Sequence, residues 1–150
     1  MKKAVSKKNE FKDFKRIIVP IDGSAYSERA AKKAFALAKK TGTDVLAIYV
    51  VENPPAYPEI SGWYPEMIES TKRYGLSVLD EIEKMGSKVG IRVVTKLKEG
   101  HPEQEIINEA RKNDLIVIGC KGKSGLSNIL IGSVCEKIFR HSSSPVMIIR

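Results

Sequence analysis

The sequence predicts an α/β fold, a doubly wound five-stranded parallel sheet with helices on both faces. Three observations predict it. Five short runs rich in β-branched residues recur, at positions 16–21, 44–51, 91–97, 115–118 and 145–150. Between them lie stretches whose apolar residues repeat at helical spacing, and strict alternation of this kind builds a parallel sheet with right-handed crossovers. Several runs, such as VLAIYVV and LIVI, are continuously apolar, which marks strands buried on both faces. Length and composition agree. A chain of 150 residues, 42% apolar and 29% charged, is ordinary globular usage for one domain. It can bury roughly 68–70% of its unfolded surface.

Each element has a local reason. Arg16 to Ile21 is the first strand, and Pro20 ends its ladder. Asp22-Gly23-Ser24 is a turn, with Ser24 placed to cap a helix and Glu28 adding acid to its first turn. That helix runs from Ala25 to Lys40 on Ala30, Ala34, Leu37 and Ala38, and Gly42 stops it. Asp44 to Val51 is the second strand. Positions 52–65 hold four prolines and the aromatics Tyr57, Trp63 and Tyr64, so they form a loop. Two readings of it stand: aromatics tucked onto the core, or a lid or partner surface. Residues 66–88 form a long helix on Met67, Tyr74, Val78, Ile82 and Met85, weakened at Gly75 by about 1 kcal/mol relative to Ala. Ile91 to Leu97 is the third strand. Gly100-His101-Pro102 turns into a helix over 103–112, with Ile106, Ile107 and Ala110 inward. Leu115 to Ile118 is the fourth strand, positions 119–127 a Gly/Ser/Lys loop, 132–141 the last helix, and Pro145 to Arg150 the last strand.

Composition excludes several classes. Two cysteines make neither a disulfide framework nor a Cys-rich zinc module, and His101 and His141 make no His-rich metal site. His101 reads as a helix-start residue, and His141 lies in a last turn, where a cation suits the helix dipole. No apolar run approaches the roughly 18 residues of a membrane span. The basic N-terminus lacks the apolar region of a secretory signal, so a cytoplasmic domain is expected. The net charge of +8 is mostly local: residues 1–16 hold seven basic and two acidic side chains, or +5, leaving +3 for the rest. The leader, residues 1–14, reads as a solvated flexible tail rather than a nucleic-acid arm. Phe14 reads as a packing residue at the edge of the first strand.

Two doubly wound orders suit five strands, 3-2-1-4-5 and 2-1-3-4-5, and ligands bind outside the carboxyl strand ends at the switch point. The expected order is 3-2-1-4-5, with its crevice between the first and fourth strands. Pro20-Ile21-Asp22-Gly23-Ser24 and the segment beginning at Gly119 meet there. The second segment reads Gly119-Cys120-Lys121-Gly122-Lys123-Ser124-Gly125, and Gly132-Ser133 follows. Gly119 and Gly122 let backbone approach an oxyanion and take positive φ. Successive amides there form an anion nest, and the start of the next helix adds a second anion site. Ser133 can add a donor or cap that helix, and Ile129-Leu130-Ile131 would pack inward to fix the loop. Gly122-Lys123-Ser124 is not a Walker loop, because position 117 is Val where that loop needs Gly. The dinucleotide fingerprint GxGxxG is absent after every strand.

The spacing Gly119-x2-Gly122-x9-Gly132-Ser133 resembles the nucleotide-binding motif of the universal stress protein family. IIVPIDGS at the first strand, Asp114 to Gly119, and Ser144 to Ile149 are similar to the same family, so the resemblance covers residues 15–150. It implies a Rossmann-like single domain over that range. Because every motif position is kept, it implies the family's ATP-binding class. It implies that Gly119, Cys120, Lys121, Gly122, Lys123, Ser124 and Gly125, with Gly132, Ser133 and Val134, hold triphosphate and ribose. It also implies that Val50 contacts adenine and that Pro20 and Asp22 line the crevice. Asp22 would face ribose or a Mg²⁺ ion on the phosphates, or would cap its own turn; both readings stand. Cys120 departs from the family, which often has Ser there, and could be an exposed thiol. Cys135 falls on one helical face with Ile131, Val134 and Ile138 and reads as core. A Cys120–Cys135 bond is disfavoured in a cytosolic setting.

No Ser-His-Asp set, carboxylate pair or Arg clamp is visible, so binding of ATP with little or no hydrolysis is expected. The apolar last strand, at a sheet edge, calls for a cover. Pairing with a second copy is the simplest, and the resemblance also implies homodimers. The alternative is a nucleotide-free interaction protein that uses its leader or aromatic loop on an anionic or protein partner.

Overall fold

The computed structural model describes residues 14–53, 64–121 and 131–150. Residues 1–13 of the leader, Tyr57 and Trp63 of the aromatic loop, Gly122, Lys123, Ser124, Gly125, Ile129 and Leu130 lie outside the described residues, as does the Tyr64 side chain. The elements are β1 (Arg16–Pro20), α1 (Ala25–Thr41), β2 (Asp44–Glu52), α2 (Tyr64–Lys88), β3 (Val93–Gly100), α3 (Pro102–Glu109), β4 (Asp114–Gly119), α4 (Ser133–His141) and β5 (Val146–Ile149). The sheet is parallel throughout, in the expected order β3-β2-β1-β4-β5. No helix among the described residues is long and apolar enough to cross a membrane.

Alternating side chains divide the core between the two faces. Ile17, Val19, Val45, Ala47 and Val117 pack with Ala30, Ala34 and Phe35 of α1 and Val78, Leu79 and Ile82 of α2. Ile18, Leu46, Ile48, Ile116 and Ile118 pack with Ile106 of α3 and Cys135 and Ile138 of α4. Phe14 packs against the first cluster, as expected of an edge residue. Ser24 caps α1 by accepting the Ser27 amide, and Gly42 ends it in the left-handed region at φ 71°.

Three expectations change. In α2, Met67 and Tyr74 are exposed at 52% and 43%, whereas Leu79, outside the expected stripe, is buried. Gly75 is more than a weak point. A Cβ there would stand 2.6 Å from the Tyr49 ring and 2.9 Å from Leu97 Cδ1, so glycine lets α2 lie close on β2 and β3. β3 is displaced towards Gly100, because β2 sets its register from Val45↔Val93 to Glu52↔Gly100. α3 stops at Glu109 rather than 112. The Arg111 amide donates to Asp114 Oδ2 at 2.9 Å, while the Arg111 carbonyl accepts the Asp114 amide at 2.9 Å and the Ser144 hydroxyl at 2.9 Å. Those bonds compete with another helical turn. Ala110 is the C-cap, with Ile107 and Ala110 partly buried against the second cluster.

The amino end of the sheet is closed by charge. Arg16 pairs with Asp114 at 2.7 Å and Glu109 at 3.4 Å, and donates to the Glu109 carbonyl at 3.0 Å. Lys96 and Lys98 reach Glu109 at 2.8 and 3.5 Å, and Lys98 reaches Glu105 at 2.9 Å. Among the described residues, no buried side-chain nitrogen or oxygen lacks a partner.

Candidate functional site

The carboxyl end is open. β1, β2 and β4 finish around a cavity of about 570 Å³. β1 and its turn bring Pro20, Ile21 and Asp22, and β2 brings Ile48, Tyr49, Val50 and Glu52. From β4 come Ile118 and Gly119, followed by Cys120 and Lys121. The start of α4 supplies Gly132, Ser133, Val134 and Cys135. Thus every described residue of the expected site lines one cavity: Pro20, Asp22, Val50, Gly119, Cys120, Lys121, Gly132, Ser133 and Val134. Gly122, Lys123, Ser124 and Gly125 lie outside the described residues.

Two backbone bonds fix this rim. The Cys120 amide donates to the Ile149 carbonyl at 2.7 Å, and the Gly132 amide donates to the Cys120 carbonyl at 2.6 Å. Together they tie the end of β4 to β5 and to the start of α4. The first amides of a helix have no intrahelical acceptor; in α4 these belong to Ser133, Val134 and Cys135. The macrodipole adds positive character at the same place. Asp22 is held by its turn: its Oδ1 accepts the Ser24 amide at 2.9 Å, and its own amide donates to Ser27 Oγ at 3.4 Å. Its turn-capping role is therefore real, and its carboxylate stands at the cavity wall.

Three site expectations are corrected. Gly119 does not take positive φ; among the described residues the glycines that do are Gly23, Gly42, Gly90 and Gly100. A Cβ on Gly119 would lie 2.7 Å from both the carbonyl carbon and oxygen of Tyr26. The glycine lets the start of α1 cross β4, a packing need that motif spacing hides. Ser133 is not the cap of α4. Gly132 takes that position without a side-chain bond, and Ser133 is an exposed first helical residue. Cys120 is not an exposed thiol, being 3% accessible. Ile131 is partly buried against the second core cluster, as expected.

Cys120 and Cys135 are both free and buried. Burial, reinforced by the neighbouring Cys120, pushes the Cys135 thiol up to about 11. His101 sits at the N-cap of α3 without a side-chain cap bond, and His141 lies exposed in the last turn of α4. No group of three or more His, Cys, Asp or Glu side chains gathers for a metal among the described residues.

Sequence reasoning missed part of the wall: Tyr49 and Glu52 of β2, Met67, Ile68 and Thr71 of α2, and Pro102 and Ile106 of α3. A signal existed. Met67 and Thr71, like Pro102 and Ile106, stand four residues apart, at helix starts that rise from the same carboxyl edge of the sheet.

A family model, the universal stress protein family, matches residues 13–150. Universal stress protein MJ0531 of Methanocaldococcus jannaschii is 39% identical over 142 residues, covering 91% of this chain and 82% of its own. The solved universal stress protein UspA of Lactobacillus plantarum superposes with a TM-score of 0.83 at 23% identity, over 91% of this chain and 98% of its own. Two more distant solved members carry nucleotides. One, in complex with cAMP, has a TM-score of 0.63 at 23% identity, over 90% of this chain and 95% of its own. The other, from Archaeoglobus fulgidus in complex with dAMP, has a TM-score of 0.63 at 19% identity, over 91% of this chain and 98% of its own. The chain belongs to the universal stress protein family.

Proposed function

We propose that the chain binds ATP in the cavity at the carboxyl ends of β1, β2 and β4 and acts as a nucleotide-dependent regulatory module with little or no hydrolysis. One observation carries the reading: the first turn of α4 and the end of β4 converge on the same cavity as Asp22 and Val50. Phosphates take the amides of Ser133, Val134 and Cys135 and the charge of Lys121, and adenine takes the wall at Val50. The family members solved with cAMP and dAMP support an adenine nucleotide as the ligand class. A cavity of about 570 Å³ falls in the range of small-molecule sites.

Mg²⁺ fits as a companion of the phosphates rather than as a caged ion. It keeps several waters and needs only one or two carboxylates, and Asp22 supplies one at the wall. Binding with little or no turnover is the reading, and Asp22 is the carboxylate on which its test turns. We place the protein in the cytoplasm as a homodimer through β5, which stands at the edge of the sheet with Met147 41% exposed. A monomeric mass at micromolar concentration would overturn the dimer.

Calorimetric titration with Mg-ATP tests the site. The wild type should bind, and Gly132→Val combined with Ser133→Ala should bind at least about tenfold more weakly, the effect of removing about 1.4 kcal/mol. No heat from the wild type, and no nucleotide released by acid from purified protein, would refute the reading. ATP hydrolysis well above background, abolished by Asp22→Ala, would refute the claim of little turnover.

A further inference from the structure

The cavity wall carries two thiols to which the proposed phosphate and adenine contacts give no role. Cys120 and Cys135 both line it, and both are free thiols only 3% exposed. The segments that carry them join at one backbone bond. The Cys120 carbonyl accepts the Gly132 amide at 2.6 Å, so the end of β4 touches the N-cap of α4. Cys135 is the third residue of α4, and a helical side chain leans back over the turn before it. That lean turns Cys135 back towards the Gly132 junction. A disulfide needs Cα atoms about 4.4–6.8 Å apart, the scale of two hydrogen-bonded backbones and one helical turn. Burial, and after it Cys120, pushes the Cys135 thiol up, in keeping with that placement.

We propose that Cys120 and Cys135 form a two-thiol oxidation site in the cavity wall that takes a hydroperoxide and closes an intramolecular disulfide between the end of β4 and the first turn of α4.

The roles differ. Burial keeps Cys135 a thiol at neutral pH, so it is a poor first nucleophile. Cys120 ends β4 beside Lys121 and lines the cavity, where a small peroxide can reach it. Cys120 sulfur therefore attacks the peroxide oxygen. The O–O bond breaks, an alcohol (water from hydrogen peroxide) leaves with the thiol proton, and Cys120 becomes a sulfenic acid. Cys135 sulfur then attacks Cys120 sulfur, the S–O bond breaks, and hydroxide leaves as water with the Cys135 proton. Two thiols give up two electrons and two hydrogens, and one hydroperoxide is reduced. The new bond pins Gly132 and Ser133 against β4 and so changes the nucleotide site; this consequence rests on the ATP reading, whereas the disulfide does not.

The test treats reduced full-length protein with hydrogen peroxide and reads intact mass, thiols open to maleimide after denaturation, and peptide links. The expected result is loss of two hydrogens and of both thiols within one chain, with a Cys120–Cys135 linked peptide, reversed by dithiothreitol. Cys135→Ser and Cys135→Ala should each leave a dimedone-trappable sulfenic acid on Cys120, whereas Cys120→Ser should stay reduced. Two thiols still open after peroxide, links only between chains, or Cys135 oxidised as fast in Cys120→Ser would overturn the proposal. A parallel arm adds Mg-ATP. Slower oxidation in proportion to occupancy supports both readings, while a disulfide that forms equally fast with ATP present upholds the thiol site and counts against the nucleotide reading.

Discussion

The two ends of the sheet are built to opposite rules. At the amino end, Arg16, Glu109 and Asp114 satisfy one another, Lys96 and Lys98 reach Glu109 from farther along β3, and Ser144 and the Arg111 backbone complete the set. At the carboxyl end, helix-start amides, the acidic residues Asp22 and Glu52 and two thiols surround open volume. The same parallel strands produce both. Parallel packing sends every helix N-terminus to the carboxyl edge, where positive dipole ends gather. The amino edge receives only strand starts and helix ends, which this chain closes with ion pairs. Polar residues at the first end hold the fold, and those at the second face the cavity in which the nucleotide is proposed to bind.

Substitutions at the amino end should therefore cost stability and leave binding alone. Asp114→Ala should have the largest effect. It removes the nearer ion-pair partner of Arg16 and the acceptor of the Arg111 amide, a carboxylate whose side chain is only 3% accessible. Breaking a buried pair costs about 3–5 kcal/mol. Arg16 is 22% accessible, so the lower figure of about 3 kcal/mol applies. Thermal denaturation should show a loss of roughly 6–12 °C, with Mg-ATP affinity unchanged.

Gly119→Ala comes next and spans the comparison, because the residue lines the cavity but packs against α1. Overpacking Tyr26 should cost about 1–3 kcal/mol in urea unfolding. An unchanged midpoint would return Gly119 to the ligand-binding role that its motif position suggested.

The acid response belongs to the amino end. Burial pushes the Glu109 carboxyl up, but Lys96, Lys98 and Arg16 outweigh it and hold it below the usual carboxylate range. A lowered folded-state value gives stability that is present above the unfolded carboxylate pKa, about 4.3, and lost as pH falls through the folded one. Glu109→Gln should flatten the melting temperature against pH below about pH 4.3. Equal slopes for wild type and variant would remove Glu109 from the acid response.

Ser133→Ala should have the smallest effect on stability, within about 0.5 kcal/mol for an exposed residue without a cap bond. It should nonetheless weaken Mg-ATP binding. A large fall in melting temperature would make Ser133 structural.

What the sequence made legible follows from range. The alternation of apolar runs, the cap at Ser24 and the stop at Gly42 are local, and the sheet order followed from them. The cavity was legible because the described candidate residues sit at strand ends and a helix start, positions that topology brings together. Long-range packing was not legible. Gly119 is small because of Tyr26, and Gly75 because of Tyr49 and Leu97; both partners are distant in sequence. Arg16 meets Asp114 across 98 positions. The early end of α3 depends on Asp114 and Ser144, which no helical periodicity around residue 110 encodes. Burial of Cys120 depends on the knot with Ile149 and Gly132.

Amide hydrogen exchange with and without Mg-ATP tests the contrast between the ends most directly. The account predicts nucleotide-dependent protection at Gly119, Cys120 and Ser133 to Cys135, with no change at Arg111 to Leu115. Protection centred on the amino end, or none at the carboxyl end under saturating Mg-ATP, would contradict it.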